Sequence, residues 1–266
     1  MFKIGADPEL FLRRTTEKGY KKFVSAETEE GPIIPGTKAN PFKVPGGAIQ
    51  VDGVAAEFNV NPADNYEEFF DNTKKVLTKL RETVKKHDKS LSLVATPTAT
   101  FTAAYFNKLP KHTLMLGCEP DFNAYSGKAN DPPKTDKPFR TASGHVHIGW
   151  TNNANPTAEG HMMDCILVVK ELDRYLHYAS LDWDKDNKRR QLYGKIGAFR
   201  PKPYGLEYRV LSNAWLRSVD TIRTVYDITT KVMQSIDSGK HKFARPERCC
   251  YGANNTDRVY QTLRGY

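Results

Sequence analysis

Apolar and polar residues alternate along several short segments of the chain, which is the pattern of β-strands with one face turned toward water. The clearest case is residues 54–60, where apolar side chains occupy one side and Glu57 lies midway along the other. Asp52 and Gly53 come just before it, and an Asp-Gly pair between two β-compatible runs predicts a hairpin turn. Further strands are predicted at residues 2–12, 22–25, 91–96, 114–122, 143–150 and 206–211.

Apolar residues recur at helical spacing in three longer segments, residues 65–88, 156–180 and 218–237. Asn65 is a plausible N-cap for the first of them. Residues 29–47 and 126–140 are rich in proline and are predicted to be irregular loops, of which the first is a candidate cover for an active site. Many of the connections permit antiparallel pairing, so the pattern favours an α+β fold. We expect a curved antiparallel sheet backed by helices on one face, in a single domain that spans residues 1–266.

Composition adds a positive balance of charge. The 266 residues include 40 Lys and Arg against 31 Asp and Glu, a formal net charge of +9. This balance is compatible with a solvated lysine-rich surface and equally with attraction to polyanions. Neither a ribonucleoprotein-type aromatic motif nor a zinc finger is present, so charge alone does not indicate nucleic-acid binding. No apolar run approaches the roughly 20 residues that cross a bilayer, and the N-terminus does not resemble a signal peptide. We therefore expect a cytoplasmic protein without membrane contact.

Ionisable residues recur at alternate positions of five predicted strands. They are Asp7 and Glu9, Glu57, Glu119 and Asp121, His145 and His147, and Glu207 and Arg209. Each set alone is typical of a strand open to water. If the strands share one sheet, however, one face carries at least four carboxylates, which repel one another unless cations lie among them. Oxygen ligands with one imidazole suit Mg²⁺ or Mn²⁺ better than zinc, and such metals usually serve phosphate groups.

Basic residues near the last predicted strand, Lys195, Arg200 and Arg209, are candidates for phosphate binding. Of the two histidines, His147 is the better ligand candidate, and His145 is a candidate for a supporting or surface position. A His-x-His pair also occurs in zinc hydrolases and cupin-like iron sites, but those need a third histidine or a clear facial carboxylate. The chain has no Walker A sequence, GxGxxG turn or kinase signature set, so nucleotide binding would require another scaffold.

Five segments together resemble the phage-type COOH–NH2 ligase family (type 2), of the glutamine synthetase and glutamate–cysteine ligase superfamily. In order from residue 5 to about residue 216, they are GADPELF, DGVAAEFNVNPA, GCEPDFNAY, SGHVHIGW and AFRPKPYGLEYRVLSNAW. The resemblance implies a glutamine-synthetase-like curved sheet whose acidic face binds ATP through two or more Mg²⁺ ions. The metal-ligand positions it implies are Asp7, Glu9, Glu57, Glu119, His147 and Glu207. It also implies that Arg209 contacts phosphate and that Arg200 contacts phosphate or an acyl-phosphate.

The activity implied by the resemblance is an ATP- and Mg²⁺-dependent amidoligase that forms an amide or peptide-like bond through an acyl-phosphate and releases ADP and phosphate. Asp121 is the candidate proton acceptor. The partners would be small-molecule or peptide carboxylates and amines, with a polyanionic or polymeric substrate also possible, in the host cytoplasm if a phage encodes the chain. Because the chain lacks the N-terminal β-grasp domain of glutamine synthetase, neither a ring-shaped oligomer nor ammonia as the amine is implied. Two alternatives remain open, a metal-dependent hydrolase or nuclease and a non-catalytic nucleic-acid-binding protein.

Overall fold

The computed structural model describes residues 1–114, 121–131 and 138–245, so the candidate ligand Glu119 lies outside the described residues. The described strands are β1 (Lys3–Ala6), β2 (Glu9–Thr15), β3 (Lys21–Val24), β4 (Glu27–Thr28), β5 (Gly31–Pro32), β6 (Phe42–Val44), β7 (Gly47–Asp52), β8 (Ala55–Ala63), β9 (Leu91–Val94), β10 (Thr98–Thr100), β11 (Phe122–Asn123), β12 (Lys128–Ala129), β13 (Phe139–Thr141), β14 (Val146–Gly149), β15 (Ala198–Lys202) and β16 (Gly205–Tyr208). The described helices are α1 (Tyr66–His87), α2 (Ala103–Phe106), α3 (Lys111–Leu114), α4 (Glu159–Leu172), α5 (Tyr178–Trp183), α6 (Asn187–Leu192) and α7 (Val219–Asp237).

Twelve of these strands form one antiparallel sheet, with the order β12-β11-β15-β16-β14-β1-β8-β2-β3 along its main path. β7 pairs with β8 to form the predicted hairpin, β6 pairs with β7, and β9 pairs with β2. The mixture of helices with a large antiparallel sheet confirms the α+β class predicted from the sequence.

β1 and β2 run in succession along the same edge of β8, with Asp7 and Pro8 between them. The pairs Ala6–Val60 and Glu9–Glu57 share one register, and the Phe58 N–H donates to the Pro8 carbonyl at 3.0 Å. The predicted single strand 2–12 is therefore two strands. Because alternation continues across the break, Asp7 and Glu9 still share a face.

The main hydrophobic core lies between the sheet and the helices α1, α4 and α7. Alternate residues of the sheet enter it, among them Ile4, Phe58 and Leu206, all buried. Helix α1 begins as predicted, because the Asn65 side chain accepts a hydrogen bond from the Glu68 N–H at 2.9 Å. Residues one position away along the strands face the opposite side of the sheet, where the charged groups collect. None of the helices in the described ranges combines the length and apolar character needed to cross a bilayer.

Several predicted elements differ from the structure. The helix predicted at 156–180 begins at Glu159, and a π-helical turn at Asp173–His177 carries it into α5. The strand predicted at 114–122 is wrong at its start, because Leu114 ends α3, while residues 115–120 lie outside the described residues. The two predicted loops contain short strands, namely β5 and β6 in the first and β12 and β13 in the second.

The strand predicted at 206–211 ends at Tyr208. Beyond it, the carbonyls of Val210 and Leu211 accept from the buried Arg189 guanidinium at 2.8 and 2.6 Å, and the Leu211 carbonyl also accepts from the Gly144 N–H at 3.0 Å. The sequence pattern does not predict its partner β15, because this strand contains Pro201, and proline disfavours a strand interior. β11 pairs only with the beginning of β15, at Ala198 and Phe199, and β16 pairs with residues 199–202. Pro201 therefore lies beyond the segment that β11 covers.

Candidate active site on the acidic face of the sheet

Cross-strand register brings the candidate ligands to one face of the sheet. His147 pairs with Gly5 on one side and with Glu207 on the other, and Glu9 pairs with Glu57. Directly opposed residues of antiparallel strands project from the same face. We call this surface the acidic face. It carries Asp7, Glu9, Asp52, Glu57, His147 and Glu207.

Asp7, His147 and Glu207 form a first triad, with one potential ligand atom from each lying within 4.8 Å of the others. Asp7 Oδ1 and His147 Nε2 are buried atoms that lie 3.0 Å apart, an ion pair when His147 is protonated. His145, also buried, places Nδ1 at 3.1 Å from Glu207 Oε1 and 3.4 Å from Asp7 Oδ1. A cation bound here would be coordinated by these atoms together with a Glu207 oxygen, in place of the histidine proton. The structure places His147 in this triad and His145 beside it, and the assignment of His147 as a ligand stays a prediction.

Glu9, Asp52 and Glu57 form a second triad that meets the same distance criterion of 4.8 Å. The Ser143 N–H donates to Glu9 Oε2 at 2.8 Å, and the buried Gln50 amide donates from Nε2 to Glu57 Oε1 at 2.9 Å. These hydrogen bonds fix the orientation of two carboxylates and leave each with a second oxygen for a cation. In the sequence, Asp52 carries only the signal of a turn residue.

The electrostatics of the two triads differ. In the second, burial raises the pKa of Glu57 well above its ordinary value, and neighbouring carboxylates, Asp7 foremost, raise it further. Burial and the charge of Asp52 also raise the pKa of Glu9. In the first, burial opposes ionisation of Asp7, but the adjacent histidines, His147 foremost, hold its pKa well below the ordinary value. In the second triad, ionisation of Glu9 and Glu57 is therefore disfavoured, and a cation bound among the carboxylates would favour it.

Basic side chains surround Glu207 at one edge of the acidic face. Arg200 Nη1 and Lys202 Nζ lie 3.1 and 3.2 Å from Glu207 Oε2, and the Arg209 guanidinium contacts Glu207 Oε1. Burial and the charge of Asp7 favour the protonated form of Glu207, yet the cationic neighbours, Arg200 foremost, lower its pKa to about 2. Glu207 is therefore ionised and can hold these cations in place.

Two of the predicted phosphate-binding residues, Arg200 and Arg209, are thus at the site, whereas Lys195 is not brought to it. Lys195 is exposed, and its backbone carbonyl accepts from the Ala198 N–H. Lys202 takes its place at the cluster. Lys202 is two residues after Arg200, and residues at this spacing share a face only in a strand. The sequence could therefore indicate Lys202 only if β15 were recognised as a strand.

Asp121 contacts the site through Arg209. Its Oδ2 accepts from Arg209 Nε at 2.9 Å, and its Oδ1 accepts from Asn130 Nδ2 at 2.8 Å. The Arg209 guanidinium also donates to the Tyr193 hydroxyl. With both carboxylate oxygens engaged, Asp121 is placed to orient Arg209.

The loop between β5 and β6 reaches the second triad. Lys38 Nζ lies 3.5 Å from Asp52 Oδ2, and the Gly36 carbonyl accepts from the Val51 N–H at 3.1 Å. A Cβ on Gly36, which has φ +90°, would lie 2.3 Å from the Ile49 carbonyl oxygen. Only glycine fits this close approach. The loop therefore lies against β7, with the Lys38 ammonium group beside the second triad.

A cavity of about 600 Å³ adjoins the first triad through His147 and Tyr204. The Tyr204 hydroxyl contacts His147 Nδ1. The other lining residues are Met1, Phe2, Lys3, Gly5, Ala6, Asn59, Val60, Asn61, Pro62, Gly149, Trp150, Thr151 and Asn152. Aromatic rings and side-chain amides thus line a space beside the triad, and this lining contains no carboxylate side chain.

Comparison with known proteins adds a family match in the second half of the chain. The model of the family described as "Phage phiEco32-like COOH.NH2 ligase-type 2" matches residues 139–263. The match supports the resemblance carried by the sequence motifs. His147, Arg200, Glu207 and Arg209 lie within the matched range, whereas the second triad precedes it. Among curated proteins, none matches the chain.

Proposed function

The second half of the chain matches a family of carboxylate–amine ligases, and with that as the premise we propose that this protein is an ATP- and Mg²⁺- or Mn²⁺-dependent amidoligase. It joins a carboxylate to an amine through an acyl-phosphate, releasing ADP and phosphate. The observation that carries the proposal is the arrangement of two adjacent triads with Arg200 and Arg209 on one sheet face. We further propose a glutamine-synthetase-like curvature of this sheet in a single domain, which the acidic face and the antiparallel order support.

The residues present fit divalent cations. The buried atoms Asp7 Oδ1 and His147 Nε2, together with a Glu207 oxygen, supply two oxygens and one nitrogen. Glu9, Asp52 and Glu57 supply three oxygens. Oxygen-rich sets with a single imidazole suit Mg²⁺ and Mn²⁺. When bound, such ions would neutralise phosphate oxygens and increase the electrophilicity of phosphorus.

Side chains of the protein would bind the phosphates and the nucleoside. Arg200, Lys202 and Arg209 would turn toward phosphate oxygens and stabilise charge on the transferring phosphoryl group. The cavity beside His147 supports nucleotide binding, because Trp150 and Tyr204 offer ring faces and neighbouring asparagines offer hydrogen bonds to a base. Its volume is large enough for a nucleoside.

The reaction balances in two steps. A substrate carboxylate oxygen bonds to the γ-phosphorus, the bridging bond to the β-phosphate breaks, and ADP leaves. The amine nitrogen then bonds to the acyl carbon, the carbon–oxygen bond to phosphate breaks, and an ammonium proton passes to a carboxylate of the acidic face. Asp121 is the acceptor that the sequence suggests. Since Arg209 and Asn130 hold its two oxygens, we assign it instead the role of positioning Arg209.

The test is a screen of carboxylates and amines for amine-dependent release of ADP and phosphate from ATP and Mg²⁺, followed by mass spectrometry of the product. We expect Glu57→Gln and Arg209→Ala each to reduce ADP release by at least about a hundredfold, the size of loss that follows removal of one electrostatic partner of a transition state. Matched controls on the exposed side of α1, Glu82→Gln and Arg81→Ala, should retain activity. Thermal unfolding of each variant shows whether it is folded.

Three outcomes would contradict the proposal. Formation of AMP in place of ADP would indicate another activation chemistry. Hydrolysis that requires metal but no nucleotide would favour the hydrolase alternative. Full function after neutralisation of both Glu57 and Glu207 would favour a non-catalytic binding protein. The expected cytoplasmic location and a polyanionic or polymeric substrate stay predictions.

A further inference from the structure

A second surface, which is aromatic and basic in contrast to the acidic face, lies where α4 continues through the π-helical turn into α5. Tyr125, Tyr175 and Tyr178 are exposed there, by 48%, 44% and 61%. Tyr125 and Tyr178 line a depression of about 370 Å³ together with Arg174, Ile196 and Phe243. We call these six residues, with Lys170, the aromatic-basic surface. π-Helical turns within α-helices recur at functional sites.

Cations accompany the exposed rings. Lys170 Nζ lies 5.5 Å from the centre of the Tyr125 ring, and the Arg174 guanidinium carbon lies 5.4 Å from the centre of the Tyr175 ring. These distances are in the range of cation–π contacts. Positive charge therefore lies beside ring faces that remain accessible to solvent.

The acidic residues of the same segment are buried beneath this surface, where Asp173 lies beside the Tyr125 hydroxyl. Glu171 is buried, and its Oε1 accepts from the backbone N–H groups of Lys242 and Phe243. Asp173 is also buried and accepts from the Tyr208 hydroxyl at 2.7 Å. The charges that residues 170–178 present to solvent are consequently positive, which fits the net charge of +9.

We propose that the aromatic-basic surface binds single-stranded nucleic acid. Unpaired bases stack on exposed aromatic rings, and adjacent lysines and arginines neutralise the phosphates between them. A duplex keeps its bases stacked internally and would use only the cations. An acidic peptide would likewise pair with the cations without requiring the ring faces.

This binding is independent of the proposed ligase chemistry. Asp173 and Tyr208 connect the surface to the helical side of the sheet, whereas Glu207, next to Tyr208, projects from the acidic face. Binding should therefore require neither ATP nor Mg²⁺, and its loss should leave ADP release unchanged.

The experiment measures binding of fluorescently labelled oligothymidylate to the full chain by anisotropy, without nucleotide or metal. We expect saturable binding that weakens with salt, and about a tenfold loss of affinity in Tyr178→Ala, with Tyr178→Phe close to wild type. Lys170→Gln with Arg174→Gln should reduce the slope of log affinity against log salt by about 0.7 for each phosphate that the variant no longer neutralises. Tyr20→Ala is the matched control, since Tyr20 is 66% exposed elsewhere on the chain.

Equal affinity for duplex and single strand would overturn the proposal, as would wild-type affinity in a folded Tyr178→Ala variant. Polyglutamate that competes fully, with no effect of the tyrosine substitution, would assign the surface to an acidic peptide instead. Absence of saturable binding would also overturn it, and none of these results would bear on ADP release.

Discussion

Glu9 on β2 and Glu57 on β8 face each other directly across the sheet as a registered pair on the acidic face. Like charges in opposed positions destabilise a sheet. Both carboxyls have pKa values raised by burial and by neighbouring carboxylates. The pair is therefore unfavourable for folding when ionised, which is the arrangement expected if a cation binds between the two carboxylates, as proposed.

Neutralising Glu57 should stabilise the metal-free protein at alkaline pH. A carboxyl whose folded pKa is raised lowers stability as pH rises from its unfolded to its folded pKa, and the penalty is absent below the unfolded pKa. We expect Glu57→Gln to raise the melting temperature at about pH 8 by roughly 2–4 °C, the shift that about 1 kcal/mol produces in a chain of this size. Differential scanning calorimetry with chelator measures it. A gain that persists undiminished at about pH 4 would count against a charge effect, and Glu82→Gln is the control.

Divalent cations should stabilise the protein through the second triad, including Asp52, which the sequence did not suggest as a ligand. At a hundred times the dissociation constant, Mg²⁺ or Mn²⁺ adds about 2.7 kcal/mol of stability, a readily measured rise in melting temperature. Asp52→Asn should shift the midpoint of this titration at least tenfold, whereas Asp71→Asn on the exposed side of α1 should not. An unchanged midpoint in Asp52→Asn would exclude Asp52 from the ligand set.

Gln50 should tune metal affinity without being a ligand. Asn59 Nδ2 donates to Gln50 Oε1 at 3.3 Å, so the Gln50 amide is oriented with its NH₂ toward Glu57 Oε1. Loss of such an orienting group typically weakens metal binding about 10–100-fold. Gln50→Leu should show this loss in a Mn²⁺ titration, while the exposed Gln191→Leu should not. If Gln50 served only to fill space, Gln50→Leu would bind Mn²⁺ like wild type.

Titration of Asp173, which lies on the helical side of the sheet, should make the stability of the protein depend on pH. Burial raises the pKa of Asp173 to about 7, although the Tyr208 hydroxyl donates to it. Its folded pKa lies above the unfolded one, so stability should fall, on the order of a few kcal/mol, as pH rises from about 4 to about 7. Urea unfolding of Asp173→Asn should show a weaker dependence over this window. An identical pH profile in the variant would place the titration elsewhere.

Arg189 should be indispensable for the fold around the site. It is fully buried, and its guanidinium donates to the carbonyls of Ala142, Val210 and Leu211. Ala142 precedes Ser143, whose N–H donates to Glu9, and Val210 follows Arg209. Arg189→Met would remove the side-chain donor from all three buried carbonyls, of which Leu211 would keep only the Gly144 N–H, and we expect a loss of about 3–5 kcal/mol in the free energy of unfolding. Replacement of the exposed Arg81 by Met should cost less than about 0.5 kcal/mol.

The sequence by itself determined the local features of this protein. Period-two alternation marked the strand around Glu57 and the strand that contains His147, which begins just after His145, and an Asn-capped amphipathic pattern marked α1. These signals depend on neighbouring residues, because burial of one face imposes the period and a cap satisfies the first backbone N–H groups. Short motifs also indicated the family and most of the candidate ligands.

Only the tertiary structure decided which of these residues meet. Asp52 reads as a turn residue until the β7–β8 register places it beside Glu9 and Glu57, and Lys202 has no assignment until β15 pairs with β16. Conversely, exposed Lys195 is not brought to the acidic face. Strand order and register join segments far apart in the chain, and they are set by the packing of the whole sheet against its helices, which no local pattern records. The sequence supplied the charges, and the sheet decided which of them lie together on the acidic face.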